Sequence, residues 1–151
     1  MSRQQKIELV NMCMVYNGNL VLVQDKIHSE WGGITFPGGH IEENESCTDA
    51  VIREVFEETG LTISAPVLCG IKDWVNDDGS RYMVLFYKTD KFKGEPKSSK
   101  EGAVFWLSID DMQNHNRLSP DMKDMLQVFL NDNLSEFFYY KENEEWKYKL
   151  K

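Results

Sequence analysis

Glu54, Glu57 and Glu58 stand at i, i+3 and i+4, a spacing that on a helix brings three carboxylates to one face with Cβ atoms about 5–6 Å apart. Like charges so placed repel, and either water or a cation must relieve them. A solvated acidic face is the commoner fate of a charge run. The alternative is a hard octahedral cation such as Mg²⁺, for which clustered carboxylate oxygens are the preferred donors. Arg53, four residues before Glu57, can pair with that carboxylate and fix its orientation. A cation held this way offsets the repulsion and supplies local positive charge to an anionic ligand.

The element that must carry these groups is delimited at both ends. Ser46 followed by Asp49 has the form of a capping box, and Gly60 can take the left-handed conformation that closes a helix, so the spacing predicts a helix over 47–59. Ala50, Val51, Ile52, Val55 and Phe56 supply its apolar contacts. Phe36-Pro37-Gly38-Gly39 precedes it, with glycines that let backbone approach a ligand closely. Glu42 and Glu43 read as solvated loop charges.

Gly39, Glu45, Arg53, Glu54, Val55, Glu57, Glu58, Gly60 and Leu61 fit the pattern G-x5-E-x7-R-E-U-x-E-E-x-G-U, U being a bulky aliphatic. The stretch therefore resembles a complete Nudix box of the MutT family. The resemblance implies a Nudix fold, α+β, with a mixed β-sheet sandwiched between α-helices. It implies hydrolysis of a nucleoside diphosphate linked to another moiety, with Mg²⁺ as cofactor and Mn²⁺ as a substitute. By the same resemblance the metal ligands are Glu54, Glu57, Glu58 and the carbonyl of Gly38. A glutamate from a loop before a late strand, here Glu101, joins them as ligand or general base. Arg53 then holds Glu57, and Glu45 has an accessory metal or structural part. His40 occupies a position where relatives carry Lys, so a phosphate contact there is pH-sensitive or absent; a plain surface histidine is the commoner reading.

The lead-in W-G-G-I-T-F-P-G-G-H and the tail N-L-S-E-F-F-Y are similar to MutT-type 8-oxo-dGTP diphosphatases. This similarity implies conversion of an oxidised purine nucleoside triphosphate to the monophosphate and pyrophosphate, which keeps a mutagenic precursor out of DNA. Trp31 and Phe36 are candidates for stacking on a base, although covering the sheet explains either equally well. Gly38 and Gly39 offer backbone contacts to substrate. An Asn near the start of the last long helix reads the oxidised purine in MutT relatives; the corresponding zone runs from Asn114 to Ser119, with Asn116 the candidate. Other nucleoside diphosphate derivatives, such as ordinary triphosphates, ADP-ribose or a capped RNA end, stay open as substrates, as does a non-catalytic Nudix ligand-sensing module.

The 151 residues carry a net charge of −8 with pI near 4.9, which argues against nonspecific duplex binding, since that mode depends on Lys and Arg neutralising phosphates. Bound cations can still supply positive charge locally to a nucleotide. The length fits one domain over 1–151. Cys13, Cys47 and Cys69 are odd in number and far apart, so neither a disulfide framework nor a zinc site is indicated. No apolar leader or membrane-length stretch stands out. The expectation is a cytoplasmic protein, monomer or homodimer, with a small nucleotide as partner and no stable nucleic-acid or membrane association.

Around the box, Ile7–Tyr16 and Leu20–Val23 flank Asn17-Gly18 and predict a hairpin with a type I′ turn. Residues 25–35 read as an exposed loop. Pro66 interrupts a strand within 61–75, and the turn 76–80 joins it to a strand over 82–87, Asp77 and Asp78 serving the turn. A Lys-rich loop over 90–102 leads to a strand over 103–107. A short helix follows Ser108, and Ser119-Pro120 reads as N-cap and first residue of a helix to about Asn131, with Met122, Met125, Leu126 and Phe129 turned to the core. The early and late helices are expected on opposite faces of the sheet. Residues after Ser135 read as a hairpin about Glu142–Glu144, or as a dimer surface.

Overall fold

Alternation along the first strand, β1 (Ile7–Asn17), sets the layering. Met14 faces one apolar cluster, while Cys13 and Val15 face another on the opposite side. The computed structural model describes residues 2–27 and 30–151. Helix α1 (Cys47–Thr59) covers one face through Val51 and Val55, and helix α3 (Met122–Leu130) covers the other through Met125, Leu126 and Phe129. Phe129 is fully buried, a burial worth about 1.5–3 kcal/mol. The short helix α2 (Ile109–Gln113) adds Met112 to the α3 side.

The sheet is mixed, as expected for an α+β Nudix fold. Strand β1 pairs in parallel with β6 (Arg81–Thr89) over nine positions, and β6 forms an antiparallel hairpin with β5 (Val67–Val75). On its other side β1 meets β2 (Leu20–Lys26) only at Tyr16↔Val21 and Asn17↔Leu20. Beyond that hairpin the two strands part: β2 pairs with β8 (Gly102–Ser108) and, at its far end, with β3 (Gly33–Thr35). Residues following β3 fill the wedge and run along the free edge of β1, where Cys13 donates its N–H to Pro37 at 2.9 Å and Asn11 to Gly39 at 2.8 Å. The glycine loop is thereby tied to a central strand of the sheet.

A small pair, β4 (Thr62–Ile63) with β7 (Phe92–Lys93), follows α1. The terminal hairpin, β9 (Glu136–Glu142) and β10 (Glu145–Leu150), docks in parallel on β5 over Ile71–Asp73.

Three local expectations are corrected. Residues 25–35 are not one exposed loop, because β2 runs on to Lys26 and Gly33–Thr35 form the buried strand β3 against it. The first hairpin turns on Gly18-Asn19, where only Gly18 has positive φ, the pattern of a type II′ turn; a type I′ turn needs both central residues at positive φ. Helix α3 begins at Met122 rather than Pro120, and Asp121 precedes it at φ 65 without a side-chain cap. The carbonyl of Ser119 instead accepts the Met122 N–H at 3.1 Å, and the Asp121 carboxylate is taken by the Tyr139 hydroxyl.

Candidate active site

Helix α1 is capped as its sequence predicts. Ser46 Oγ accepts the Asp49 N–H at 2.9 Å, and Gly60 closes the helix at φ 80. Its acidic face is organised by one guanidinium. Arg53 donates through Nη2 and Nε to the two oxygens of Glu45 at 2.6 and 3.1 Å, and through Nη1 to Glu54 at 2.9 Å and Glu57 at 3.2 Å. Nη2 also reaches the carbonyl of His40 at 3.0 Å, binding the helix to the glycine loop. The Arg53–Glu57 pair is thus present, but Arg53 orders three glutamates. Glu45 has both oxygens engaged and also accepts the Glu42 N–H at 2.8 Å, so its part here is structural; these bonds hold its carboxyl below the usual range, Arg53 first.

Glu58 points inward, buried, and accepts the Gly38 N–H at 3.1 Å. Burial pushes its carboxyl up to about 7; Lys26 and the Gly38 N–H oppose this, and the negative charges of Glu101 and Glu54 add to it. The sequence-distant Glu101 therefore lies within electrostatic reach of the box, on the exposed loop before β8. Pro37 and Gly39 turn their carbonyls to β1. Gly38 has its N–H on the α1 side, and by the alternation of extended backbone its carbonyl faces that side too. Gly38 tolerates no side chain, since a Cβ there would stand 2.0 Å from the Asn11 carbonyl oxygen; one at Gly39 would stand 2.4 Å from the Glu54 carboxylate, which would have to move aside.

Among the described residues no three Asp, Glu, His or Cys side chains converge closely enough to close a metal site as they stand. This modifies the expectation of a ready-made metal face: Arg53 holds Glu54 and Glu57, while the Gly38 amide holds Glu58. The donor set nevertheless fits a divalent cation. It consists of hard oxygens, one pair of them on the buried Glu58 carboxyl, beside a glycine cradle without side chains. A divalent cation bound there supplies Lewis-acid polarisation of phosphoryl oxygens.

From the glycine loop a cleft of about 410 Å³ extends over Asn11, Lys26, Lys72, Trp74 and Ser119. It shares Trp31, Lys72 and Trp74 with a neighbouring aromatic cavity of about 370 Å³ that also includes Tyr139 and Trp146. Trp31 lines both and is 58% exposed. Phe36, the other expected stacking residue, is 1% exposed and meets Phe129 edge-on at 5.1 Å; it forms the cleft floor and has no free face for a base. Asn116 is exposed and is not among the residues lining the cleft. Arg117 pairs with Asp25 at 2.7 Å, and the backbone of Arg117 and Ser119 brackets Ile34, so the chain enters the cleft only at Ser119 and Pro120. His40 lines the cleft and approaches Glu8 at 3.7 Å.

Sequence reasoning missed Lys72, Trp74 and Asn11. Their signal was a Lys and an Asn at inward positions of otherwise apolar strands. The Asn11 side-chain oxygen accepts the Gly39 N–H at 3.1 Å, and its buried Nδ2 has no protein partner among the described residues.

A mixed sheet between helices, presenting an arginine-ordered carboxylate helix against a glycine loop beside a nucleoside-sized cleft, defines a phosphoanhydride hydrolase. The profile of the NUDIX domain matches residues 8–129, and the chain belongs to the Nudix family. It is 34% identical over 113 residues to the uncharacterized Nudix hydrolase YvcI of Bacillus subtilis strain 168, covering 72% of this chain and 70% of YvcI. The crystal structure of the mutator MutT protein from Bacillus halodurans superposes with TM-score 0.76 at 30% identity, covering 95% of this chain and 97% of that one. A bifunctional NMN adenylyltransferase/ADP ribose pyrophosphatase from Francisella tularensis, complexed with AMP and a Mn ion, shares the fold at TM-score 0.63 and 20% identity over 87% of this chain and 43% of its own. The chain is a Nudix pyrophosphohydrolase acting on nucleotide derivatives, a class that generally uses divalent metal ions. Among the described residues no helix is long and apolar enough to cross a membrane.

Proposed function

We propose that the chain is a Mg²⁺-dependent nucleoside triphosphate pyrophosphohydrolase that converts 8-oxo-dGTP and related oxidised purine nucleotides to the monophosphate and pyrophosphate. Nucleotide-pool sanitation in the cytoplasm, and so protection of DNA, is the role this implies. Mn²⁺ is the expected substitute metal. We read the chain as a single domain, active as monomer or homodimer. The observation that carries the reading is the continuity of the cleft, which joins the Gly38-Gly39 loop beside Glu58 to an aromatic end at Trp31 and Trp74. Phosphates beside the glycine loop and a base among the rings match the two ends of one nucleotide. The likeness to a mutator MutT protein supports the substrate class.

In this reading Glu54, Glu57, Glu58 and the Gly38 carbonyl hold the cation, with Glu101 as a further ligand or as the base that takes the proton from the attacking water. Arg53 keeps the glutamates oriented, and Gly39 lets the loop backbone lie close against the Glu54 carboxylate.

A second reading, a Nudix hydrolase of other nucleoside di- or triphosphate derivatives, is favoured by one observation: Asn116, expected to read the oxidised purine, lies outside the cleft. An assay with Mg²⁺ across 8-oxo-dGTP, dGTP, the other triphosphates, ADP-ribose and dinucleoside polyphosphates, with products separated, tests both. Preference for 8-oxo-dGTP over dGTP by less than a few-fold would overturn the first, because a site built around a distinctive polar group rejects the analogue lacking it by a large factor.

A further inference from the structure

Lys72 lies in the middle of β5 and is 7% exposed. Its ammonium stands 5.2 Å from the ring centroids of Phe137 and Tyr139, 5.8 Å from Trp74 and 6.0 Å from Trp31. These rings stabilise a cation through their π-faces but offer no lone pair for its N–H groups. The nearest carboxylate is Asp121 at 3.8 Å, beyond hydrogen-bond length, and that carboxylate already accepts from the Tyr139 hydroxyl. Among the described residues the ammonium therefore has an ion pair and four rings, but no hydrogen-bond acceptor. Burial accordingly draws its pKa down, against Asp121. A buried donor group without an acceptor is costly, and protein interiors seldom keep one without a use.

Lys72 lines both the cleft and the adjoining aromatic cavity, whereas Gly38 and Gly39 line the cleft alone. Its donors thus meet the part of a nucleotide remote from the phosphates. We propose that Lys72 is a specificity-determining residue that donates a hydrogen bond to the six-position carbonyl of an oxopurine base held among Trp31, Trp74 and the cavity rings. A lysine ammonium is donor-only, so it matches a carbonyl oxygen and meets the exocyclic amino group of adenine donor to donor. The selected class is guanine, 8-oxoguanine and hypoxanthine nucleotides. This inference rests on the nucleotide hydrolase reading and names the base-edge contact that Asn116 does not supply.

The test compares dGTP with 2-aminopurine deoxyribonucleoside triphosphate, which lacks that carbonyl and, with it, the N1 proton. Steady-state kcat/KM in Mg²⁺ and calorimetric binding of the two monophosphates without metal are measured for the wild type, Lys72→Met and Lys72→Arg. The expected result is a wild-type preference for the guanine nucleotide of about tenfold or more, the discrimination typical of one good base-edge contact. Lys72→Met is expected to reduce that preference to about twofold or less, and Lys72→Arg, which keeps donors, to retain much of it. Equal use of the two nucleotides by the wild type would overturn the assignment without recourse to any variant, so a misfolded Lys72→Met leaves the proposal decidable. A loss in Lys72→Met that falls equally on both nucleotides would also overturn it. Robust hydrolysis without discrimination defeats only the Lys72 assignment. Absence of hydrolysis of every nucleoside di- and triphosphate derivative defeats the functional reading itself.

Discussion

Arg53 and Glu45 meet through two parallel contacts, Nη2 to Oε1 at 2.6 Å and Nε to Oε2 at 3.1 Å. The same guanidinium then reaches Glu54 and Glu57 through Nη1. Lysine has no planar fork and cannot hold all three carboxylates at once. Arg53→Lys is therefore expected to lower kcat roughly 10–100-fold, as loss of a group orienting metal ligands does, while KM changes little. Steady-state kinetics check this split, and a rise in KM at constant kcat would instead place Arg53 on the substrate.

Glu57 has a side chain 55% exposed and accepts a hydrogen bond from Arg53. Glu57→Gln is expected to abolish Mg²⁺-dependent hydrolysis while the far-UV circular dichroism and Tm stay close to wild type. Undiminished turnover in that variant would sink the metal-ligand assignment.

Gly38 and Gly18 separate steric from conformational cost. Gly38→Ala drives a Cβ to 2.0 Å from the Asn11 carbonyl, whereas Gly18→Ala meets nothing within 4 Å but retains φ 60. Thermal melts are expected to show a loss of about 3 kcal/mol or more for Gly38→Ala, from overpacking against rigid backbone. Gly18→Ala should lose about 1 kcal/mol, the cost of a left-handed alanine.

Trp31 and Phe36 should part in the same way. Phe36→Ala is expected to cost about 3–5 kcal/mol of stability as a core cavity. Trp31→Ala should leave Tm near wild type and weaken nucleotide binding about five- to tenfold, in line with a stacked base. Calorimetry with a nucleoside monophosphate provides the measurement.

Glu136 and Asp73 form a carboxyl pair where β9 docks on β5. Asp73 is buried, with Oδ2 bound by Arg81 at 2.6 Å. A shared proton with Asp73, then burial and the Asp73 charge, push the Glu136 carboxyl from 4.5 up to about 7. The folded state binds the extra proton between those values. Stability is therefore greatest in this respect below about pH 4.5 and falls as pH rises through about 7. Glu136→Gln keeps a donor for Asp73 without the charge, so its Tm should exceed that of the wild type at pH 8 by a few degrees, since about 1 kcal/mol shifts Tm by 2–4 °C at this size. The two proteins should melt nearly together at pH 5.

Helix α1 was legible to the residue because its signals are local: a serine cap, a glycine stop and carboxylates one turn apart act within 14 positions of chain. The terminal hairpin and the opposed faces of α1 and α3 followed likewise from short-range pattern. The start of α3 did not, because Asp121 is drawn to Tyr139 on a strand 18 residues away, and tertiary demand outweighed the N-cap propensity of Ser119.

The sequence by itself determined the reaction chemistry, since a glycine loop and spaced glutamates on one capped helix owe their geometry to the helical repeat. Only the tertiary structure decided what lines the cleft. Trp31, the β5 pair Lys72 and Trp74, Ser119, and Tyr139 come from four separate stretches. The parting of β1 from β2, and the docking of β9 on β5 over three residues, bring them together. Phe36 and Asn116 show the same limit: whether an aromatic ring or an amide faces a ligand depends on which distant residue packs against it, and no local spacing encodes that.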